Sequence, residues 1–270
     1  MSKFDIDKVM HRHNQRIINI SLDANEYCVY TIGDVHGCYL EFVELVEKCC
    51  NHAARLGKAP VIIPLGDLID RGPEFEAIFD FLDACGMISI LGNHELNFYL
   101  ENLGTIPCRS RAREMTHKVY DTLSEEKQAR IMEQIGNMPN VMTILLDNND
   151  TVFDSFILSH SPIREIEHLQ DVYLTGIMKT LNAPHCSMRA DMVDMGMLAD
   201  NGFDGIMMVH GHQSWGFKPV QEQNIEQSEY TNRVINLDSG CVYGGELTAL
   251  CLNNNNIITV SAKKVYCNKR

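Results

Sequence analysis

Six short apolar runs, each ending in a polar cluster, limit the possible folds of this chain more than any other feature of its sequence. Residues 27–32, 61–65 and 87–91 lead into GDVHG, GDLIDRGP and GNHE, and residues 156–158, 205–209 and 233–237 lead into SHS, HGH and DSG. Runs this short and this rich in Val, Ile and Leu are typical of buried strands. Helical patterns at residues 40–50 and 74–84 separate the early runs, so the alternation predicts an α/β fold.

The polar clusters place metal-binding residue types at one predicted edge of a sheet. In open α/β sheets, ligands bind beyond the carboxyl ends of the strands, which is where all six clusters lie. The candidate side chains offer carboxylate, amide and imidazole donors but no thiolate: Asp34, His36, Asp67, Asp70, Asn93, His94, His160, His210 and His212. This donor set suits a hard or borderline cation. A single Gly-Asp pair usually forms a turn, and a single histidine is usually a core or surface residue. Three such polar motifs in order, each following an apolar run, instead indicate a metal site.

Three of the clusters carry a family resemblance. GDVHG, GDLIDRGP and LGNHE, in this order and at this spacing, resemble the calcineurin-like metallophosphoesterases, in particular their serine/threonine protein phosphatase branch and its small bacterial and phage members. The later VHGHQ and NLDSGCVYGGELTAL extend the resemblance over most of residues 27–252. It implies a four-layer α/β/β/α sandwich of two mixed sheets with a helical insertion, and a single domain spanning residues 1–270.

The resemblance also implies a role for each matched residue. Asp34 and His36 would bind the first of two metal ions, Asp67 would bridge both, and Asn93, His160 and His212 would complete the second site. His94 would protonate the leaving alcohol and Asp70 would orient it, while Arg71 and Asn93 would hold phosphate oxygens. A bridging carboxylate keeps two cations about 3.5–4 Å apart, and a hydroxide held between them can attack phosphorus directly. The mechanism then needs no cysteine nucleophile.

Three positions in the motifs leave alternatives open. The family usually has a small residue, often glycine, after the histidine of the SHS motif, whereas here Ser161 follows His160. The strand still ends at the expected place, so His160 is kept as a ligand. The HGH cluster offers two histidines, and His212 matches the family pattern better, so that His210 either supports the site from behind or fills the core. For a second phosphate-binding arginine, Arg189 has suitable spacing and Arg164 is its competitor.

Two further segments have recognisable patterns. Residues 109–123 and 125–138 are predicted to form amphipathic helices, the second beginning after Ser124 as its N-cap. They belong to a helical insertion over about residues 97–140 beside the site. Residues 247–252 and 257–260 flank the asparagine run at 253–256 and predict a β-hairpin.

Charge and hydropathy disfavour several partners and locations. The net charge of −13 argues against a nucleic acid as the main partner, although a metal can still attract a small phosphorylated ligand. The sequence contains neither an apolar run long enough for a membrane span nor the apolar stretch of a signal peptide near its first residue. Its ten cysteines are scattered, without a Cys-x-x-Cys pair. We therefore predict a cytoplasmic protein with reduced thiols.

The predicted function is that of a phosphomonoesterase with two divalent metal ions, acting on phosphoserine or phosphothreonine in proteins or on a small phosphoester. Manganese is the expected metal, and iron or zinc would fit the same donors. Asp70, the acidic balance and the basic start of the insertion at Arg109–Arg113 favour a protein substrate. The alternatives are a hydrolase of dinucleoside polyphosphates such as diadenosine tetraphosphate, a polynucleotide-end phosphatase, and a catalytically inactive metal-binding scaffold.

Overall fold

Two mixed β-sheets organise the computed structural model, which describes residues 10–14, 17–107, 111–147, 155–161, 206–212, 214 and 233–268. The strands in these ranges are β1 (Met10–Asn14), β2 (Ile17–Asp23), β3 (Tyr27–Ile32), β4 (Ala59–Pro64), β5 (Val141–Asp147), β6 (Ser155–Ser159), β7 (Ile206–His210), β8 (Arg233–Asn236), β9 (Glu246–Cys251) and β10 (Ile257–Ser261). One sheet has the order β1-β2-β5-β6-β7-β8 and the other β10-β9-β3-β4. Parallel and antiparallel pairs occur in both sheets.

The two sheets pack face to face because their strands alternate between two apolar faces. On β3, Val29 points toward the six-stranded sheet, where it meets residues such as Ile20 of β2 and Phe156 of β6. Its neighbours Cys28 and Tyr30 point to the opposite face, toward the helices. A strand that is buried on both faces needs apolar side chains at consecutive positions, which explains the unbroken apolar runs in the sequence.

Helices cover the outer face of the four-stranded sheet. They are α1 (Tyr39–Arg55), α2 (Phe75–Cys85), α3 (Asn93–Asn102), α4 (Arg111–Tyr120) and α5 (Glu125–Asn137). Phe42, Leu45 and Cys49 of α1 are fully buried and recur at helical spacing, so one stripe of that helix packs on the sheet. None of the helices in the described ranges combines the length and the hydropathy that a bilayer crossing requires.

The predicted fold class of two mixed sheets with helices is confirmed, as are most of the predicted elements. The two helices of the expected insertion are α4 and α5, and Ser124 caps α5 by accepting a hydrogen bond from the Lys127 amide at 3.3 Å. The predicted hairpin is the antiparallel pair β9 and β10. The prediction of a second helical layer falls on residues outside the described ranges.

One predicted strand is wrong: residues 87–91 form no strand. Leu65 donates its amide to the Ile32 carbonyl of β3. Backbone groups alternate in direction along a strand, so those of the even-numbered residues of β4 point away from β3, toward the free edge of the sheet. Pro60 and Pro64 stand at that edge and have no amide hydrogen to donate. Residues 87–91 therefore cannot pair with β4 along a ladder of hydrogen bonds. They contact it through isolated bonds, such as the one from the Ile90 amide to the Pro64 carbonyl at 2.9 Å.

Candidate metal centre

The chain turns sharply at the candidate residues that follow the strands. Among non-glycine residues in the described ranges, φ is positive at His36 (47°), Asp67 (49°), Asp70 (68°), Arg71 (69°), His212 (75°) and Asn255 (57°). The first five are all candidate site residues, and such conformations cost about 1–3 kcal/mol each. A Cβ atom at Gly211 would lie 2.1 Å from Oδ1 of Asp34, so only glycine lets the His212 turn approach this carboxylate.

Three side chains from separate segments converge on one candidate cation position. Oδ1 of Asn93 lies 2.9 Å from Nε2 of His160 and 2.8 Å from Nδ1 of His212, and those ring nitrogens are 3.0 Å apart. Nδ1 of His160 must donate to the Leu65 carbonyl at 2.9 Å, so its Nε2 presents a lone pair. Three polar atoms this close together form a set that a shared cation would satisfy. The back-bonded histidine is also the usual arrangement of a metal ligand.

A second candidate position lies between His36, Asp34 and Asp67. Nδ1 of His36 donates to the Ile69 carbonyl at 2.8 Å, so its Nε2 also presents a lone pair. That nitrogen lies 3.5 Å from Oδ2 of Asp67 and 3.9 Å from Oδ2 of Asp34. Oδ2 of Asp34 is buried and has no hydrogen-bond partner among the described residues. A cation here would satisfy all three donors.

Asp67 is common to two groups of donors. One group is His36, Asp67 and His94, the other is Asp67, His160 and His212, and within each group the ligand atoms lie within 4.8 Å of one another. Burial alone would raise the pKa of Asp67, but the surrounding histidines outweigh burial and hold that pKa below its usual range. An ionised carboxylate between two groups of nitrogen donors is suited to bridge two cations.

Burial and neighbouring charges shift the pKa values of the other candidate ligands. Burial raises the pKa of Asp34 well above its usual value, and the negative charges of Asp238 and Asp67 add to the effect. Burial lowers the pKa of His160 and lowers that of His212 to about 4. Neutral imidazole is the form that binds metals. Carboxylates that repel each other in a buried site are stabilised by a bound cation, which reverses the shift.

His94 is held from behind by a buried carboxylate. Its Nδ1 lies 2.5 Å from Oδ2 of Asp70, and Thr116 of α4 donates to the other oxygen of that carboxylate. Burial lowers the pKa of His94, but the charges of Asp67 and Asp70 outweigh burial and raise it. Its Nε2 faces the site at 3.1 Å from Nη2 of Arg71. In this structure that nitrogen accepts from Arg71, so His94 can carry a proton there once the guanidinium turns to a bound phosphate group.

Arg71 spans the opening of the site. Its Nη1 contacts Nε2 of His36, its Nη2 contacts Nε2 of His94, and its guanidinium carbon lies 5.5 Å from the ring centre of Tyr243. Because arginine can only donate, both imidazole nitrogens accept from this guanidinium, and its planar pair of donors would also suit a phosphate group.

Glu95 is a residue that sequence reasoning missed. Its buried carboxylate accepts hydrogen bonds from the amides of Asp67, Leu68, Ile69 and Gly92 at 2.7–3.1 Å. Burial, with the charge of Asp67 adding to it, raises the pKa of Glu95 to about 8, although these donors oppose the shift. The side chain thereby fixes the loop that carries Asp67. The signal was present as the fourth letter of GNHE.

Glu95→Gln is expected to destabilise the fold by about 2–4 kcal/mol, because either orientation of the amide turns an NH₂ group toward two backbone donors. The free energy of unfolding in a denaturant titration measures the effect. Glu47→Gln makes the same change on the exposed face of α1 and should cost less than about 0.5 kcal/mol. Equal stability of the two variants would contradict the role given to Glu95.

One further candidate, His210, does not join this centre. His210 is buried, with Nδ1 2.9 Å from the Gly211 carbonyl and Nε2 without a partner among the described residues. Its neighbour on β7, Val209, faces the core between the sheets. Successive side chains of a strand point to opposite faces, so His210 lies on the outer face of the six-stranded sheet. Burial lowers the pKa of His210 to about 4. Arg164 and Arg189 lie outside the described residues.

Comparisons with known proteins agree with this geometry. The sequence profile of calcineurin-like phosphoesterases matches residues 29–260. A bis(5′-nucleosyl)-tetraphosphatase PrpE (asymmetrical) of Geobacillus sp. strain WCH70 is 29% identical over 87% of this chain and 94% of the relative. The protein of the same name from Halalkalibacterium halodurans is 26% identical over 81% of this chain and 87% of the relative. A protein serine/threonine phosphatase from Saccharomyces cerevisiae shares the fold, with a TM-score of 0.51 and 14% identity over 93% of this chain and 84% of that chain.

Proposed function

The chain belongs to the calcineurin-like phosphoesterase family, and from this premise we propose that it hydrolyses dinucleoside polyphosphates with two divalent cations, manganese being the metal for assays. The family uses a dinuclear metal site, and the donors described above fit one. Asp34, His36 and Asp67 would hold one cation, and Asp67, Asn93, His160 and His212 the other. When bound, the pair would neutralise phosphate charge and supply a nucleophilic oxygen at neutral pH.

The protein's own residues would orient the phosphate and manage the proton. Arg71 would bind two phosphate oxygens through the nitrogens that lie beside His36 and His94. His94, with its pKa raised, would hold a proton at Nε2 and pass it to the departing oxygen. Asp70 and Thr116 would keep the imidazole in that orientation.

The substrate class rests on the similarity to the tetraphosphatases. Two relatives that carry this name align over 87% or more of their own length, so the likeness spans nearly the whole of each relative. This favours the dinucleotide alternative over the phosphoprotein substrate expected from the motifs. The likeness to the yeast phosphatase concerns the fold and carries no weight for the substrate.

Two of the arguments for a protein substrate lose force in the structure. The basic start of the insertion favours a protein substrate in the sequence, but Arg113 donates to Glu101 at 2.9 Å and is already paired. Arg109 lies outside the described residues. Asp70 contacts His94 and Thr116, so it bears only on how far the leaving group needs a proton and not on whether that group belongs to a protein.

A serine/threonine protein phosphatase is the second candidate, and one observation favours it. The His94–Asp70 pair is arranged to donate a proton, and a serine or threonine alkoxide needs that proton far more than a departing nucleotide does. A phosphoanhydride releases a phosphate oxygen that is weakly basic already.

Under one manganese condition, kcat/KM for diadenosine tetraphosphate is expected to exceed that for phosphoserine and phosphothreonine peptides by at least about tenfold, equal to about 1.4 kcal/mol. Initial rates for both substrates on one preparation measure the ratio. A p-nitrophenyl phosphate assay confirms that the preparation is active. A ratio below one would assign the chain to protein phosphatases and leave the metal centre as described.

A further inference from the structure

A pocket of about 400 Å³ opens beside the metal centre and extends away from it. We call the part lined by Arg71 and Thr116, which contact His94 and Asp70, its inner end, and the part lined by Lys264, Val265 and Tyr266 its outer end. The volume falls within the range of small-ligand sites, about 300–1,000 Å³. None of the roles assigned to the catalytic centre uses the outer end.

The pocket lies on the side of the site from which a leaving group departs. Arg71 is 3.1 Å from Nε2 of His94, and Thr116 donates to the carboxylate that holds the same imidazole. A group protonated by His94 must lie against this imidazole when its bond to phosphorus breaks. The space available to it continues into the pocket.

The lining of the pocket matches a nucleotide. It includes two cations, Arg71 and Lys264, and no carboxylate. Lys264 has no ion-pair partner among the described residues, and its ammonium lies 5.0 Å from the ring centre of Tyr266. Met115 and Val265 are apolar side chains with exposed fractions of 69% and 58%. Cations suit a polyphosphate, and an aromatic ring with exposed apolar neighbours suits a nucleobase.

The outer wall is fixed in place. The Tyr266 hydroxyl lies 2.9 and 3.0 Å from the two carboxylate oxygens of Glu41, and the Tyr266 amide donates to the Val242 carbonyl at 3.0 Å. A ring anchored at both its hydroxyl and its backbone keeps its shape when a ligand arrives, which lowers the entropic cost of binding.

We propose that this pocket binds the departing nucleotide of a dinucleoside polyphosphate, with Lys264 on its phosphates and its base against the apolar wall. The proposal rests on the function given above and adds the residues that would select a nucleotide leaving group. A phosphopeptide would use the same metal centre without a requirement for Lys264.

Lys264→Gln tests the proposal, and Lys263→Gln is its matched control. The adjacent Lys263 carries the same charge but pairs with Glu44 of α1 and is not part of the lining. Val265→Asp is a second test, because it places a negative charge on the wall at an exposed position that tolerates the change. Binding of a methylene-bridged, non-hydrolysable dinucleoside tetraphosphate to the metal-loaded protein is measured by calorimetry. Turnover of diadenosine tetraphosphate and p-nitrophenyl phosphate is measured in parallel.

Lys264→Gln and Val265→Asp are each expected to weaken binding of the analogue by about tenfold, the effect of one lost or opposed charge-assisted contact. Their kcat/KM for diadenosine tetraphosphate should fall by the same factor and that for p-nitrophenyl phosphate by less than about threefold, while Lys263→Gln keeps wild-type values. Wild-type binding by both test variants, or an equal loss for both substrates, would overturn the proposal. Failure of the wild-type protein to hydrolyse diadenosine tetraphosphate would instead contradict the proposed function.

Discussion

Asp67→Asn is expected to remove bound metal from both cation positions and to lower kcat/KM for every phosphoester by about 10³-fold, equal to about 4 kcal/mol. Asp67 is the residue common to both groups of donors, and its carboxylate is ionised because the surrounding histidines hold its pKa low. Asparagine removes that negative charge and keeps one oxygen. Each cation would then lose a charged ligand, and the charge that draws the two cations together would disappear.

Asparagine is the informative substitution because it preserves the local fold. Asp67 has φ of 49°, a left-handed conformation that asparagine adopts more readily than most other residues. Its Oδ1 can still accept the hydrogen bond from the His94 amide, which is 3.0 Å long. Metal per chain after dialysis, measured by plasma spectrometry, is the main readout, and circular dichroism checks that the variant is folded.

Asp147→Asn makes the same charge change at the exposed end of β5 and should retain the metal and the activity. Two metal ions per chain in Asp67→Asn would contradict the bridging assignment. Undiminished activity in excess chelator would contradict a metal-dependent reaction altogether.

The position of the site could be predicted because it depends on local sequence. A short apolar run fixes a strand, and the strand's carboxyl end fixes where the following Asp34, Asp67 or His160 must emerge. The carboxyl ends of β3 and β4 in one sheet and of β6 in the other bring distant residues together without knowledge of the loops. The left-handed backbone conformations of His36, Asp67 and His212 could not be predicted from the sequence, however, because residues other than glycine seldom adopt them.

The features that could not be predicted depend on contacts between distant segments. Thr116 lies on a helix of the insertion, and its bond to Asp70 spans 46 positions of the sequence. Nothing in the periodicity of α4 separates that buried face from an ordinary core stripe. The failed strand at residues 87–91 has the same origin, since the residues that prevent it, Pro60 and Pro64, belong to the strand beside it. The pocket proposed for the departing nucleotide likewise has walls that come from three parts of the chain.

His94→Gln is expected to lower kcat for phosphoserine peptides by about 10²–10⁴-fold, the usual contribution of a general acid. Glutamine can reach into the site with an amide but cannot transfer a proton at neutral pH. For p-nitrophenyl phosphate and diadenosine tetraphosphate, the same substitution should lower kcat by less than about tenfold. Their leaving groups are weakly basic, so the bond to phosphorus breaks without much help from an acid.

Metal content decides between two roles that the geometry allows for His94. Its nitrogen lies close enough to His36 and Asp67 to act as a ligand, but its Nδ1 is bonded to Asp70 and its Nε2 faces Arg71. If His94 is the acid, His94→Gln keeps two metal ions per chain and its defect grows with the basicity of the leaving group. If His94 is a ligand, the variant loses metal and is equally slow with all three substrates. An acid whose loss barely affects the dinucleotide but disables turnover of phosphopeptides would reconcile the phosphatase-like His94–Asp70 pair with the proposed tetraphosphatase activity.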